Sequence, residues 1–235
     1  TRAVLVLTLV PLASLGWALA QTGRVAGGEV LTSTVPWVPS LGLEIALQLG
    51  TLQWVLTLVV TGVGALVLGY CTWYFEDGAD GLGSFAGNFV AFAGAMLGLV
   101  LAADLVLLYV FWELTTVFSY LLIGHDPSKR ASRAAGMQAL IVTTMGGLAM
   151  LVGILLLGAR ADSYRVADVL ASPPEPGTSL TVAVALLLVG AVSKSALFPF
   201  HFWLPGAMAA PTPVSAYLHA AAMVKAGVYL VALLA

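Results

Sequence analysis

Long apolar runs separated by short polar segments are the dominant pattern along this chain of 235 residues. Each run is long enough to cross the hydrocarbon core of a bilayer, which takes about 20 residues as a helix. The runs are too long for barrel strands, and a helix satisfies its own backbone groups in lipid. The pattern therefore predicts an all-α integral membrane protein, a polytopic bundle of about seven transmembrane helices. We expect these helices, in a single transmembrane domain over 1–235, at about residues 3–20, 52–74, 85–103, 105–124, 134–158, 180–204 and 213–235.

The composition argues against an ordinary soluble domain. Hydrophobic residues make up 60% of the chain and charged residues 9%, whereas soluble domains have about 25% charged residues. The net charge of −2 offers no basic surface for nucleic acid, and the single cysteine, Cys71, cannot form an internal disulfide. No glycine-rich phosphate loop or cysteine pair stands out, so we expect no cofactor and no metal. The first residue is Thr1 and the last lies inside an apolar run, which suggests a fragment of a longer membrane protein.

Five ionisable residues lie well inside the predicted spans and are the candidate functional residues: Glu113, Lys194, His201, His219 and Lys225. A charge at the centre of a membrane helix costs about 2.5–3.5 kcal/mol on insertion scales, and such residues usually mark ion paths. The alternative for Glu113 and Lys194 is a structural ion pair that only fixes the order of the helices. Asp104 lies at a span edge, where a helix N-terminus favours a negative charge.

Four prolines, at positions 199, 205, 211 and 213, follow Lys194 closely. Proline removes a backbone donor and clashes with the preceding helical turn, so we expect the helix at 180–204 to break near Phe198–Phe200. On a regular helix Lys194 and His201 would share one face, about 10 Å apart, a spacing that suits a water-bridged relay. His219 and Lys225, six residues apart, would point in different directions.

The short polar segment 125–133 carries Lys129, Arg130 and Arg133. Cytoplasmic loops are enriched in such cations, so we expect this loop on the cytoplasmic side of the membrane.

Three stretches together resemble a known family: "PWVPSLGLEIALQL" (36–49), "FWELTTVFSYLLIGHD" (111–126) and "SKSALFPFHFWLPGAMAAPTPVSAYLHAAAMVKAGVYL" (193–230). They are similar to the antiporter-like subunits of respiratory complex I and of Mrp-type multisubunit cation/proton antiporters, and most similar to the large A-type Mrp subunits. The sequence departs from the family pattern at Leu49–Gly50, where an Asp-Gly pair is expected.

The resemblance implies a fourteen-helix core built from two inverted repeats. It identifies Glu113 with the family's key glutamate and Lys194 with the lysine of its broken helix. It places His201, His219 and Lys225 on the family's line of polar residues through the membrane centre. The mechanism we expect is that Glu113 approaches and recedes from Lys194. The proton released when it recedes passes to His201, and then through water toward His219 and Lys225.

The resemblance also implies the function: a proton-translocating subunit of a Na⁺/H⁺ antiporter rather than an enzyme. Its partners would be other Mrp subunits, the lipid bilayer, H⁺ and Na⁺, in a bacterial inner membrane. One alternative is a proton-pumping L-type subunit of complex I or of a related hydrogenase. Another is a structural membrane subunit whose charges serve only assembly.

Overall fold

The computed structural model describes residues 2–38, 43–76 and 81–235. Most of these residues are helical. The helices are α1 (Arg2–Ala20), α2 (Thr22–Ala26), α3 (Thr51–Tyr74), α4 (Leu82–Leu101), α5 (Leu105–Ile123), α6 (Arg130–Ala161), α7 (Val166–Ala171), α8 (Thr178–Lys194), α9 (Trp203–Ala207), α10 (Thr212–Ser215) and α11 (Met223–Leu234). A 3₁₀ turn occupies Phe200–Phe202, and a π-helical turn joins α10 to α11 over Ala216–Ala221.

Within the described ranges, five helical stretches are long and apolar enough to cross a membrane. They are α3, α4, α5, α6 and the stretch Thr212–Leu234. The apolar parts of α1 and α8 are shorter, at Val4–Ala20 and Thr178–Lys194. The prediction of a mostly helical, polytopic membrane protein is therefore confirmed. The fourteen-helix repeat architecture extends beyond this chain and stays a prediction.

A two-stranded hairpin lies between α2 and α3, in a polar segment for which the sequence indicated no regular structure. Strands β1 (Leu31–Val38) and β2 (Leu43–Leu49) pair antiparallel, with Leu31 opposite Leu49. The free edge of β2 continues the pairing, because the Ala103 amide donates to the Ala46 carbonyl at 2.9 Å. The hairpin thus fastens the connection between α4 and α5 at one end of the bundle.

The same end also holds the connection that leaves α6. The Leu105 amide donates to the Tyr164 carbonyl at 2.9 Å, and the Val166 amide donates to the Ala103 carbonyl at 3.0 Å. Asp104 caps α5 here, since its carboxylate accepts from the amides of Val106 and Leu107 at 2.8 and 3.0 Å. Asp104 therefore lies at the N-terminal edge of α5, as expected.

Glycines and tyrosines set how closely the helices pack. A β-carbon at Gly98 would overlap the ring of Phe111, so α4 and α5 approach closely there, whereas Gly94 faces open space. Two buried tyrosines tie the last helical stretch to its neighbours. The Tyr217 hydroxyl donates to the Val60 carbonyl of α3, and the Tyr229 hydroxyl to the Val100 carbonyl of α4.

The helix expected at 180–204 is interrupted, but α8 already ends at Lys194, a few residues before the break expected near Phe198–Phe200. A continued helix would bring the Pro199 ring against the carbonyl of Ser195, four residues earlier, so the helix stops before that carbonyl. The chain then turns at Ala196, whose φ of 52° is left-handed. Because no regular helix joins Lys194 to His201, the shared face and the 10 Å spacing expected from helical geometry do not apply.

The last span is broken as well, which the sequence did not indicate. It was expected as one helix over 213–235, but Ala222, with φ −126° and ψ −79°, separates the π-helical turn from α11. His219 lies inside the π-helical turn and Lys225 in the first turn of α11. Such π-helical turns inside helices recur at functional sites.

Candidate functional site

The centre of the candidate site is Lys194, the last residue of α8. Its side chain is fully buried, with an exposed fraction of 0%. The apolar run of α8 carries the lysine into the membrane, and the break that follows leaves it at a helix end rather than in mid-helix. A cation at a helix C-terminus is also favoured by the helix dipole.

Lys194 is held by one turn of α5. Its Nζ donates to the Trp112 carbonyl at 2.6 Å, to Thr115 Oγ1 at 2.6 Å and to Thr116 Oγ1 at 2.8 Å. An ammonium group has three N–H donors, so these three acceptors satisfy it completely. We refer to these three acceptors as the oxygen cage.

Both threonine hydroxyls of the oxygen cage donate their hydrogens to its third member, the Trp112 carbonyl. Thr115 Oγ1 donates to the Trp112 carbonyl at 2.7 Å, and Thr116 Oγ1 donates to the same carbonyl at 3.2 Å. A hydroxyl has a single hydrogen, so with these bonds made both oxygens can only accept from Lys194. The arrangement therefore suits the charged ammonium. The ring of Trp112 adds a cation–π contact, with Nζ 4.8 Å from the ring centroid.

Glu113 lies on the same turn of α5 but makes no ion pair with Lys194 among the described residues. In this arrangement hydroxyl and carbonyl oxygens, rather than the Glu113 carboxylate, contact the ammonium group of Lys194. The two charges are still near enough to interact through space.

The carboxyl group of Glu113 lies against Gly147 of α6, where a β-carbon would overlap its Oε1. This Oε1 is buried and has no hydrogen-bond partner among the described residues. The Trp112 indole nitrogen, which borders the same glycine, is also buried without a partner there. Gly147 thus provides the space for the Glu113 carboxyl group.

His219 lies close to the broken segment. Its ring centroid is 6.3 Å from that of Trp203, and the Trp203 indole donates to the Ser193 carbonyl at 3.0 Å. Trp203 therefore connects the residue before Lys194 to the histidine. The Ala207 backbone lies beside the imidazole, but neither ring nitrogen makes a hydrogen bond of good geometry within the described part of the chain.

His201 and Lys225 lie on the exposed surface of this chain rather than in its interior. The His201 ring stacks on Phe198, with centroids 6.0 Å apart. Next to Lys225, the Val224 carbonyl accepts from the Ser195 hydroxyl at 2.8 Å, which links the end of α8 to α11. The structure thus brings Lys194 to the turn of α5 that carries Glu113, and it links His219 to the end of α8 through Trp203. It leaves His201 and Lys225 outside this cluster.

Beyond the membrane-spanning helices, the loop between α5 and α6 has its own charge arrangement. The Ser128 hydroxyl and the Lys129 ammonium hold the pKa of the Asp126 carboxyl below its usual range. Partial desolvation lowers the pKa of the His125 imidazole, whose ring packs edge-on against that of Phe85. His125 is therefore biased toward its neutral form at this end of the bundle.

Sequence reasoning missed the three residues that accept hydrogen bonds from Lys194, which are Trp112, Thr115 and Thr116. It also missed Gly147 beside Glu113 and Trp203 beside His219. The one available signal was the adjacent hydroxyl pair "TT" beside Glu113 in an otherwise apolar span. In a membrane helix, polar side chains with no water nearby need partners on other helices.

The fold and site define a multi-pass membrane protein with a buried lysine at the end of a broken helix. Residues 102–235 match the family model described as NADH:quinone oxidoreductase/Mrp antiporter, TM. This match covers more than half of the chain, and the chain belongs to that family.

Relatives of known name extend the match to nearly the whole chain. It is 48% identical over 212 residues to the A/B-type subunit of a probable K⁺/H⁺ antiporter of Rhizobium meliloti, covering 88% of this chain and 21% of that protein. It is 44% identical over 207 residues to the A-type subunit of the Na⁺/H⁺ antiporter of Alkalihalophilus pseudofirmus, covering 87% and 26%. The chain therefore spans about a quarter of the length of these curated relatives.

Two solved structures share the fold. A chain of the Mrp complex from Dietzia sp. DQ12-45-1b matches with a TM-score of 0.81 and 38% identity, over 98% of this chain and 27% of that one. A chain of the membrane-bound sulfane sulfur reductase, an archaeal respiratory complex, matches with a TM-score of 0.83 and 24% identity, over 95% and 45%. The second match bears on the fold alone.

Proposed function

We propose that this chain is the ion-translocating part of an A-type subunit in a Mrp-type multisubunit cation/proton antiporter of a bacterial cell membrane. The single observation that carries the proposal is the fully buried Lys194 at the end of a broken helix. Such intramembrane charges usually serve ion movement. The identity with named A-type antiporter subunits supports the same assignment.

Protons are carried, in this proposal, by Glu113, Lys194, His201, His219 and Lys225. Lys194 holds a proton while the Glu113 carboxylate is near and releases it when the carboxylate recedes. His219 receives the proton through intervening water in this proposal, which is supported by its packing near Trp203 and by the fact that histidine titrates near neutral pH. Surface-exposed His201 and Lys225 would continue the path where other parts of the whole protein cover them.

The exchanged cation is Na⁺ or K⁺, because the named relatives include antiporters of both kinds. The second candidate function is a proton-pumping subunit of a respiratory complex. It is favoured by the family model, whose description also names NADH:quinone oxidoreductase. Purification of the complex separates the two: small membrane subunits alone indicate an antiporter, whereas flavin and iron–sulfur proteins indicate a redox pump.

The test is Lys194→Ala in the intact complex, assayed for Na⁺- and K⁺-driven proton exchange in everted vesicles. We expect exchange to be abolished while the complex still assembles, because alanine cannot carry a proton. The matched control is Lys129→Ala, which removes an exposed lysine that is paired with Asp126 in a loop. Full exchange by an assembled Lys194→Ala complex would mean that the lysine is structural, and would refute the proposal.

A further inference from the structure

We infer that Thr115 and Thr116 are positioning residues for proton transfer. With the Trp112 carbonyl they bind the Lys194 side chain at a position separate from the Glu113 carboxylate. In this position the lysine can exist with or without its proton. The inference rests on the proposed function. Both hydroxyls lie at 2.6–2.8 Å from Nζ, are fully buried, and belong to the helix turn that also carries Glu113.

The chemistry of the acceptors distinguishes this position from a carboxylate. An ionised carboxylate only accepts hydrogen bonds, so it stabilises the ammonium and offers nothing to the lone pair of a neutral amine. A hydroxyl both accepts and donates, and its hydrogen rotates to suit its neighbours. A lysine beside Glu113 is therefore held in its charged form only, whereas a lysine between two threonines has hydrogen-bond partners in either form.

The oxygen cage has a consistent set of hydrogen bonds for each form of the lysine. With the ammonium, both hydroxyls donate to the Trp112 carbonyl and accept from Nζ. When the lysine has given up a proton, one hydroxyl rotates its hydrogen from that carbonyl to the lone pair on Nζ. The Trp112 carbonyl still accepts from the other hydroxyl, so every polar group of the oxygen cage keeps a hydrogen-bond partner.

The position of Glu113 fits this role. Its carboxyl lies against Gly147 of α6 and forms no ion pair with the lysine while the lysine occupies the cage. The proton on Lys194 is then released from the cage rather than from an ion pair. While Lys194 occupies the cage, the Glu113 carboxylate does not hold its ammonium group.

The test replaces both hydroxyls by isosteric methyl groups, as Thr115→Val with Thr116→Val, in the intact complex. We expect the maximal rate of cation-driven proton exchange to fall about tenfold or more, because both charge-assisted hydrogen bonds from Lys194 to the threonine hydroxyls are lost. The cation concentration for half-maximal exchange should not change, because the threonines act on the lysine. Thr115→Ser with Thr116→Ser should restore the rate, since serine keeps both hydroxyls.

Thr61→Val is the matched control, because Thr61 is a buried helical threonine of α3 that donates only to its own helix, at Thr57. A double valine variant that transports like this control overturns the inference, and so does a slowed variant that the serines fail to restore. If the double variant does not assemble, the single valine and serine variants decide in the same way. Loss of exchange in Lys194→Ala with normal exchange in the valine variants refutes only the cage. Retained exchange in Lys194→Ala refutes both.

Discussion

At the scale of single residues, a fully buried lysine without an ion-pair partner among the described residues is the main feature to explain. The cost of a charge in a membrane helix is about 2.5–3.5 kcal/mol on insertion scales. A hydrogen bond to a charged group contributes about 1.5–3 kcal/mol net. Two of the three bonds in the oxygen cage therefore offset that cost without help from Glu113. This leaves the carboxylate free to move, which the proposed mechanism requires.

Gly147→Ala tests whether Glu113 needs its place beside α6. The new β-carbon would overlap Oε1 of Glu113 and abut the Trp112 indole, so the carboxyl must leave this position. Alanine favours a helix by about 0.5–1 kcal/mol over glycine, so α6 itself should not weaken. We expect cation-driven exchange to fall about tenfold or more while assembly is retained.

Gly94→Ala is the control for that variant, because a β-carbon on Gly94 of α4 meets nothing within 4 Å. Exchange and thermal stability should both stay near those of the unmodified complex in this control. Equal exchange in the two alanine variants would show that the place beside Gly147 has no part in transport.

At the scale of elements, the broken segment after α8 depends on Trp203. The last carbonyls of a helix have no partner within it, and the buried Trp203 indole supplies one by donating to Ser193. Trp203→Phe removes that donor and part of the ring. We expect the complex to lose about 1–3 kcal/mol of stability, measured as a lower midpoint of thermal unfolding in detergent. Exchange should fall too, since Ser193 precedes Lys194.

Trp73→Phe is the corresponding control, because Trp73 in the last turn of α3 is 82% exposed. It removes the same atoms without removing a buried hydrogen bond. If both variants unfold at the same temperature, the indole of Trp203 does not hold the end of α8.

The break after α8 also shows what sequence could and could not predict. Pro199 indicated a break because a proline ring acts on its own preceding turn, which is a local effect. The acceptors of Lys194 come from residues 78 to 82 positions earlier, so no local pattern indicates them. The hairpin was missed because short strands give little signal in a polar segment. The π-helical turn was missed because its residues are as apolar as those of a regular helix.

At the scale of the whole molecule, the bundle has two chemically different ends. The hairpin, the cap of α5 and the connection after α6 meet at one end, where Arg165 pairs with Glu44 at 2.6 Å and Arg24 pairs with Glu29. The loop between α5 and α6 lies at the other end, beside Phe85 at the start of α4. The cations of that loop favour the cytoplasm for its end of the bundle.

This orientation can be tested with single cysteines, since the chain's own Cys71 is fully buried. Ser128→Cys lies in the loop after α5, whereas Thr32→Cys and Ser172→Cys lie at the hairpin end, and all three positions are exposed. In intact cells, a membrane-impermeant maleimide should label the cysteines at 32 and 172 and spare the one at 128. In everted vesicles the pattern should reverse. The opposite result in both preparations would place the hairpin in the cytoplasm and contradict the orientation expected from the cations of the loop between α5 and α6.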